Sequence, residues 1–176
     1  MIKIATIETP IGEMTVAAIK EGICMLEFTE ARKPGADYAK LRQIFNMDAD
    51  FGTNRHTRAL KKQLKEYFSG KRKEFSVPLF YHGSDFQKSV WRILEKIPYG
   101  KTISYMQLAE MLNNPKAIRA AANATGSNPL AIIIPCHRVV GSDGELTGYR
   151  GGIERKSWLI DHERRFSGQP VDGILF

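Results

Sequence analysis

The sequence predicts a chain of the α/β class, more narrowly of the α+β kind, built as two unequal halves. In the first 30 residues apolar side chains alternate with polar ones, as they do in short strands. From residue 55 onward apolar residues recur mainly every three or four positions, which is typical of amphipathic helices. A stretch of mixed charge, Pro and Gly at residues 71–85 separates the halves. We therefore predict an N-terminal α/β domain with its connector over residues 1–83 and a C-terminal domain over residues 84–176.

The N-terminal half predicts a small antiparallel sheet and one helix. The three predicted strands form a meander with a turn at Thr9–Gly12: Ile2–Glu8, Met14–Ile19 and Gly22–Phe28. Leu60, Leu64 and Phe68 lie at helical spacing in a predicted helix over Arg55–Phe68. Ser69 and Gly70 are typical of its end. We expect one further edge strand around Phe75–Phe80.

The C-terminal half is predicted to be mainly helical. The predicted helices are Asp85–Lys96 with Ser84 as its N-cap, Tyr105–Leu112, Lys116–Thr125 and Ile153–His162. The second and third are separated only by Asn113–Pro115, so they predict a helix-turn-helix. The apolar run Leu130–Ile134 predicts a strand.

Charge and hydropathy narrow the function classes. The chain carries 26 Lys and Arg against 19 Asp and Glu, and this net charge of +7 favours an anionic partner. The basic surplus is concentrated in residues 55–73 and 88–138. No apolar run is long enough to span a membrane and no signal peptide is visible. We therefore expect no membrane partner and a cytoplasmic protein, or a nuclear one in a eukaryote.

Cys136 is the residue with the clearest chemical interest. It follows an apolar run and precedes His137, between Pro135 and a turn at Gly141–Gly144. A cysteine after four apolar residues is more often an inert buried residue than a nucleophile. A nucleophilic thiol has to lose its proton, and His137 and Arg138 are the nearest groups in sequence that favour this. The residues alone leave both interpretations open.

The stretch Ile134–Val140, with Pro135-Cys136-His137-Arg138 inside it, resembles the active-site motif of the O6-alkylguanine-DNA alkyltransferases, also called methylated-DNA--protein-cysteine methyltransferases. The resemblance is strong over residues 85–165. Further motifs match at the family's spacing: Gly100–Tyr105, Asn114–Ala117, Ser127–Pro129, Gly148-Tyr149, Gly151-Gly152 and Lys156–Leu159. Gln63–Gly70, Arg72 and Phe75 resemble the end of the family's N-terminal domain, whereas residues 1–55 match loosely. The sequence is identified as a member of this family.

The resemblance implies a ribonuclease H-like N-terminal fold, a C-terminal winged helix-turn-helix and DNA repair by direct reversal. Cys136 is the expected acceptor of the alkyl group of O6-alkylguanine, and of O4-alkylthymine, in an irreversible single-turnover reaction. His137 and Glu163 are expected to activate the thiol through a relay of Glu, His, water and Cys. Asn128 is expected to bond backbone groups before the active-site turn. Tyr105 is expected to donate a hydrogen bond to the departing guanine.

The resemblance also implies binding in the minor groove of double-stranded DNA and flipping of the damaged nucleotide. Arg119 is the expected finger that fills the vacated stack, within the basic surplus of residues 88–138. The residues expected to contact DNA are Arg119, Tyr105, Gln87, Met106, Asn114, Ala120, Ala121 and Ser142. Val139 and Arg150 are expected to bind the base through their backbones. The long Arg150 side chain stands where some family members have a small residue.

No cofactor is expected, and no metal, because Cys24, His56 and His82 do not form a four-ligand pattern. We expect a monomer. Two other classes compete with the alkyltransferase: a regulator that uses the helix-turn-helix without the thiol, and a cysteine hydrolase that turns over many times. The Cys136-His137 motif argues against the first. Consumption of one equivalent per protein would exclude the second.

Overall fold

The computed structural model describes residues 1–32 and 38–168. The chain divides into two compact units, Met1–His82 and Gly83–Phe176. In the described residues a sheet with two α-helices forms the first unit, and the second is mainly helical, so the predicted α+β class is confirmed. In the described part of the chain, no helix is long and apolar enough to cross a membrane.

The sheet of the first unit has four strands in the order β3-β2-β1-β4. Their bounds are β1 Ile2–Ile7, β2 Met14–Ala18, β3 Ile23–Phe28 and β4 Ala49–Phe51. The antiparallel meander β1-β2-β3 is the predicted one. Strand β4 was missed, and it pairs parallel with β1, so the sheet is mixed and not purely antiparallel. The edge strand expected at Phe75–Phe80 is only a single bridge between Ile23 and Leu79.

The sheet of the first unit packs against two helices. Helix α1, Ala39–Phe45, was not predicted, and its Leu41 and Phe45 pack against an apolar cluster that includes Ile2 and Ile4. Helix α2, Arg55–Phe68, has the predicted bounds. Asn54 caps α2, since its side chain accepts hydrogen bonds from the backbone N–H groups of its first turn. The buried side chains of α2 recur at helical spacing, so its apolar stripe was visible in the sequence.

Over residues 83–168 the second unit contains four α-helices: α3 Asp85–Leu94, α4 Tyr105–Met111, α5 Ile118–Gly126 and α6 Ile153–Phe166. Helices α4 and α5 flank a short 3-10 turn at Pro115–Ala117, which confirms the helix-turn-helix. Trp91 of α3 is buried, and its indole N–H donates to Ala124 O of α5 at 2.8 Å. Helix α6 continues four residues beyond the predicted end at His162, because Leu159, Ile160, His162 and Glu163 are buried along it.

The apolar run Leu130–Ile134 is a turn and not the predicted strand. Ile134 N donates to Leu130 O at 2.9 Å, and Ile132 has a left-handed φ of 71°. That conformation costs a non-glycine residue about 1–2 kcal/mol. The Ile132 side chain is buried, and Asn128 bonds both ends of the turn, so the surrounding structure holds the strained conformation. The turn delivers the chain to Pro135 and Cys136.

A two-stranded parallel ribbon completes the second unit. Strand β5, Ile103–Ser104, pairs with β6, Val139–Val140. Since Tyr105 directly follows β5 and Cys136–Arg138 directly precede β6, this pairing brings the start of α4 next to the cysteine motif.

Candidate active site

Cys136 begins a one-turn 3-10 helix, Cys136–Arg138, at the end of the strained turn. The Asn128 amide N–H donates to Ile134 O at 2.7 Å, and its Oδ1 accepts from Leu130 N at 2.9 Å. Asn128 is itself buried, so both contacts are shielded from water. The structure therefore places Asn128 where it fixes the backbone that presents the cysteine.

The Cys136 thiol lies in a buried environment. Burial raises the pKa of Cys136, and the Asn128 side chain and the charges on Lys156 and Arg150 offset this only in part. The resting thiol is therefore protonated at neutral pH. Because the thiolate is the nucleophile, any reaction of Cys136 needs a base that takes the thiol proton.

Glu163 of α6 connects the cysteine motif to the rest of the second unit. Its Oε1 accepts from His137 Nε2 at 2.7 Å and from Arg138 Nη2 at 2.9 Å, and its Oε2 accepts from Arg138 Nε at 2.8 Å and from Gly100 N at 3.3 Å. Arg138 Nη1 also donates to Ile97 O at 2.6 Å. The side chains of His137 and Glu163 are 0% and 1% exposed. A buried carboxylate needs this many donors, because each unmet acceptor inside a protein is costly.

The charge state of Glu163 sets the tautomer of His137. Burial alone would raise the pKa of Glu163, but His137 and Arg138 together hold it well below its usual range. An ionised carboxylate only accepts hydrogen bonds, so Nε2 of His137 carries the proton in their 2.7 Å contact. In the neutral ring Nδ1 then keeps its lone pair. Nδ1 is buried and has no hydrogen-bond partner among the described residues.

Lys156 joins the site, although its role was missed in the sequence. It is fully buried, and its Nζ donates to Thr147 O at 2.7 Å and lies 5.7 Å from the centre of the Tyr105 ring. Burial lowers the pKa of Lys156 to about 8, against the opposing effect of Cys136. The sequence spacing could have indicated this buried position, because Lys156, Leu159 and Glu163 lie on one face of α6.

Tyr105 lies at the start of α4 with its hydroxyl turned toward the same loop. The hydroxyl donates to Thr147 O at 3.2 Å, the oxygen that also accepts from Lys156. Burial raises the pKa of Tyr105; the bond to Thr147 opposes this and the nearby Cys136 adds to it. Tyr105 is therefore a neutral donor close to the cysteine.

Arg119 lines an open cleft of ≈ 760 Å³ beside the helix-turn-helix. The cleft is lined by Tyr105, Lys116, Ile118, Arg119, Ala122, Asn123, Gly126, Thr147 and Gly148. These residues come from the start of α4, from α5 and from the loop before α6. Two cations and a phenol therefore face one concave surface next to the buried thiol.

The other residues expected to contact DNA divide by exposure. Met106, Asn114, Ala120 and Ser142 are exposed. Gln87 is half-buried, and it donates to Ser127 Oγ at 3.1 Å while its Oε1 accepts from Ser84 N at 2.9 Å. Ala121 is 0% exposed, so its side chain packs inside the unit and has no access to a DNA strand.

The two residues expected to bind the base also differ. Val139 is buried, and its N–H is bonded to Cys136 O. The Arg150 side chain is exposed, and its Nη2 donates to Gly126 O at 3.2 Å at the end of α5. In the described residues no group of three or more His, Cys, Asp and Glu is placed to hold a metal ion. Cys24 is buried, and burial raises its pKa to about 12.

A helix-turn-helix beside a buried cysteine and a buried hydrogen-bond network of His137, Arg138 and Glu163 fits the class of nucleic-acid-binding proteins with a cysteine active site. Comparison with known families agrees with this class. The profile of the 6-O-methylguanine DNA methyltransferase DNA-binding domain matches residues 85–165, and that of the ribonuclease-like domain of the same proteins matches residues 2–81. The chain belongs to the 6-O-methylguanine DNA methyltransferase family, a family of DNA-repair alkyltransferases.

Individual relatives support the assignment over nearly the whole chain. A methylated-DNA--protein-cysteine methyltransferase of Methanosarcina barkeri is 42% identical over 160 residues, which is 89% of this chain and 94% of that protein. One from Mycolicibacterium paratuberculosis is 41% identical over 179 residues, covering 100% and 99%. The crystal structure of the Mycobacterium tuberculosis O6-methylguanine methyltransferase superposes with a TM-score of 0.80 at 40% identity, covering 98% and 97%. A crystal structure of the M. tuberculosis protein in complex with DNA has a TM-score of 0.78 at 38% identity, covering 97% and 96%.

The low pKa of Glu163 predicts a specific loss of stability in acid. A carboxyl group with a depressed folded-state pKa stabilises the fold above its unfolded value of 4.5, and this contribution is lost as the pH falls toward the folded-state pKa. Below pH 4.5 the free energy of unfolding of the wild type should therefore fall more steeply than that of Glu163→Gln. Both tryptophans, Trp91 and Trp158, lie in the second unit, so their fluorescence during urea unfolding reports this difference. Parallel pH profiles would contradict the assigned charge of Glu163.

Proposed function

We propose that the chain repairs DNA by moving the alkyl group from O6 of guanine to Sγ of Cys136. The observation that carries this proposal is the buried thiol beside His137, whose Nε2 is held by Glu163 and whose Nδ1 is unpartnered among the described residues. A base so arranged suits a thiol whose pKa is raised by burial. Family membership supports the same chemistry.

The proposed step is a direct displacement at the alkyl carbon. His137 Nδ1 takes the thiol proton through a bridging water, and Glu163 stabilises the imidazolium that forms. The Cys136 thiolate attacks the carbon, so a C–S bond forms as the C–O bond breaks. Guanine leaves as an anion, which the Tyr105 hydroxyl stabilises by a hydrogen bond until the base takes up a proton. The net change exchanges the thiol proton for the alkyl group.

The reaction is proposed to occur once per protein molecule. The product is a thioether, and an alkyl–sulfur bond offers no leaving group that water displaces under cellular conditions. One protein molecule is thus consumed for each alkyl group that it removes. We also propose that the protein acts as a monomer and needs no cofactor.

Access to the base is proposed to require flipping of the nucleotide from the minor groove of double-stranded DNA. The thiol is buried, so a stacked base cannot reach it, and unstacking costs a few kcal/mol. Arg119 lines the open cleft, and we propose that its side chain fills the space that the flipped nucleotide leaves in the base stack. Ala120 is small and exposed on α5, which suits close approach to a narrow groove.

The remaining contacts are proposed from the exposed surface around that cleft. Met106, Asn114 and Ser142 contact the DNA backbone, and Gln87 acts mainly by holding Ser127. The backbones of Val139 and Arg150 hold the flipped base, and the smaller O4-alkylthymine is accepted by the same contacts. The Arg150 side chain donates to Gly126 O, and we propose that it narrows the space that receives the flipped base.

Incubation with an oligonucleotide that contains O6-methylguanine tests the proposal directly. The wild-type protein should gain the mass of one methylene group on the Cys136 peptide, at one equivalent per protein. Cys136→Ser should gain nothing, and the Cys24 peptide serves as an internal control because that thiol is buried with a raised pKa. An unchanged mass under conditions in which the protein binds the DNA would refute the proposal.

The variant His137→Ala tests whether His137 is the general base that takes the thiol proton. Removal of a positioned base should slow methyl transfer by about 10²–10⁴-fold at neutral pH, while the affinity for the oligonucleotide stays near that of the wild type. The variant rate should then rise as the pH increases, because hydroxide replaces the base in deprotonating the thiol. Single-turnover rates across pH measure both effects. A variant with the wild-type rate at neutral pH would remove His137 from the mechanism.

A further inference from the structure

The first unit contains a second cleft, of ≈ 660 Å³, that plays no part in alkyl transfer. We call it the basic cleft. Its floor is apolar and is made by Ile7, Pro10, Leu64 and Phe68, and its rim by Arg58, Lys61, Lys62, Lys65, Glu8 and Ser69. A volume of this size lies within the range of about 300–1,000 Å³ that is usual for ligand sites.

The lysines of the rim make no ion pairs within the part of the chain that the structure describes. Lys61, Lys62 and Lys65 are exposed, and among the described residues none of them makes an ion pair or a side-chain hydrogen bond. Arg72, which lies outside the cleft, differs from these lysines because it forms an ion pair with Glu66 at 2.7 Å. Like charges one helical turn apart repel one another, so this row is mildly unfavourable until an anion binds.

The spacing of the cations indicates an elongated anion. Arg58 and Lys65 are seven residues apart on α2, which is about 10 Å along the helix axis at 1.5 Å per residue. One carboxylate or phosphate contacts only part of such a row. About three residues of an extended chain cover it, at roughly 3.3 Å per residue.

The sheet offers a backbone edge that leads to the same cleft. Pairing of β1 with β4 ends at Ile4 and Phe51, whereas pairing of β1 with β2 continues to Ile7 and Met14. The end of β1 therefore has one edge with no strand beside it among the described residues, and Ile7 lies in the floor of the basic cleft. Such edges accept an extended segment of another chain through main-chain hydrogen bonds.

We propose that the basic cleft docks an extended acidic segment of a partner protein that carries a large apolar side chain. The acidic side chains pair with the row on α2, and the apolar side chain fills the floor. A single-stranded nucleic acid fits less well, because bases need a flat aromatic platform. Phe68, the one aromatic residue of the floor, packs edge-on against Tyr67 at 5.2 Å and so offers no such platform.

Fluorescence anisotropy tests the proposal with the full chain and a labelled peptide in which a run of Asp precedes Leu and Phe. The double variant Lys61→Glu, Lys65→Glu should weaken binding at least about tenfold, since rim charges set electrostatic complementarity. The matched control is Lys71→Glu, Lys73→Glu, which changes the same charge outside the cleft and should bind like the wild type. Replacing Leu and Phe of the peptide by Ser should also weaken binding, because the floor then stays empty.

Three results would overturn the proposal. They are equal weakening by the two double variants, equal binding of the Ser-substituted peptide, and stronger binding of a single-stranded oligonucleotide that depends on Lys61 and Lys65. Methyl transfer to Cys136 should be unchanged in both double variants, so this test and that of the proposed repair reaction fail independently.

Discussion

The ion pair and hydrogen bonds of Glu163 are the interaction on which the second unit depends. One buried carboxylate bonds Arg138, His137 and the backbone of Gly100, so it joins α6, the cysteine motif and the loop after α3. Removing one partner from such a group leaves a buried charge uncompensated, at a cost of about 3–5 kcal/mol. His137 and Arg138 both lower the pKa of Glu163 and so offset the burial of its charge. In the proposed mechanism Arg138 helps to balance the charge of Glu163, and His137 transfers the proton.

Burial of the thiol gives the site its second property. A raised pKa keeps Cys136 protonated in the resting protein, so the thiol is protected from general alkylation and oxidation. In the proposed reaction the thiol loses its proton to His137, and the charges of Lys156 and Arg150, which lower the pKa of Cys136, favour the thiolate. The strained turn at Ile132 and the Asn128 bonds hold the thiol in this pocket. Protection and activation therefore come from the same buried environment.

The sequence predicted the parts of the molecule that depend on local pattern. Helix α2 was placed correctly because its apolar stripe and its terminating Ser69-Gly70 are local signals. Helix α1 and strand β4 were missed because both are short and depend on packing against β1 and its neighbours. The run Leu130–Ile134 was wrongly predicted as a strand, since β-branched residues favour strands until the Asn128 side chain imposes a turn. The motif identified Cys136, but the structural roles of Arg138 and Lys156 needed the tertiary structure, because burial creates them.

In the proposed mechanism Glu163 holds the proton of His137 on Nε2 and leaves the lone pair of Nδ1 to receive the thiol proton. Nitrogen-15 NMR of histidine-labelled protein measures this directly, with His137 assigned among the four histidines by the loss of its signals in His137→Gln. At neutral pH we expect a protonated Nε2 and an unprotonated Nδ1. A proton on Nδ1, or on both ring nitrogens, would contradict it, because Nδ1 would then have no lone pair to receive the thiol proton.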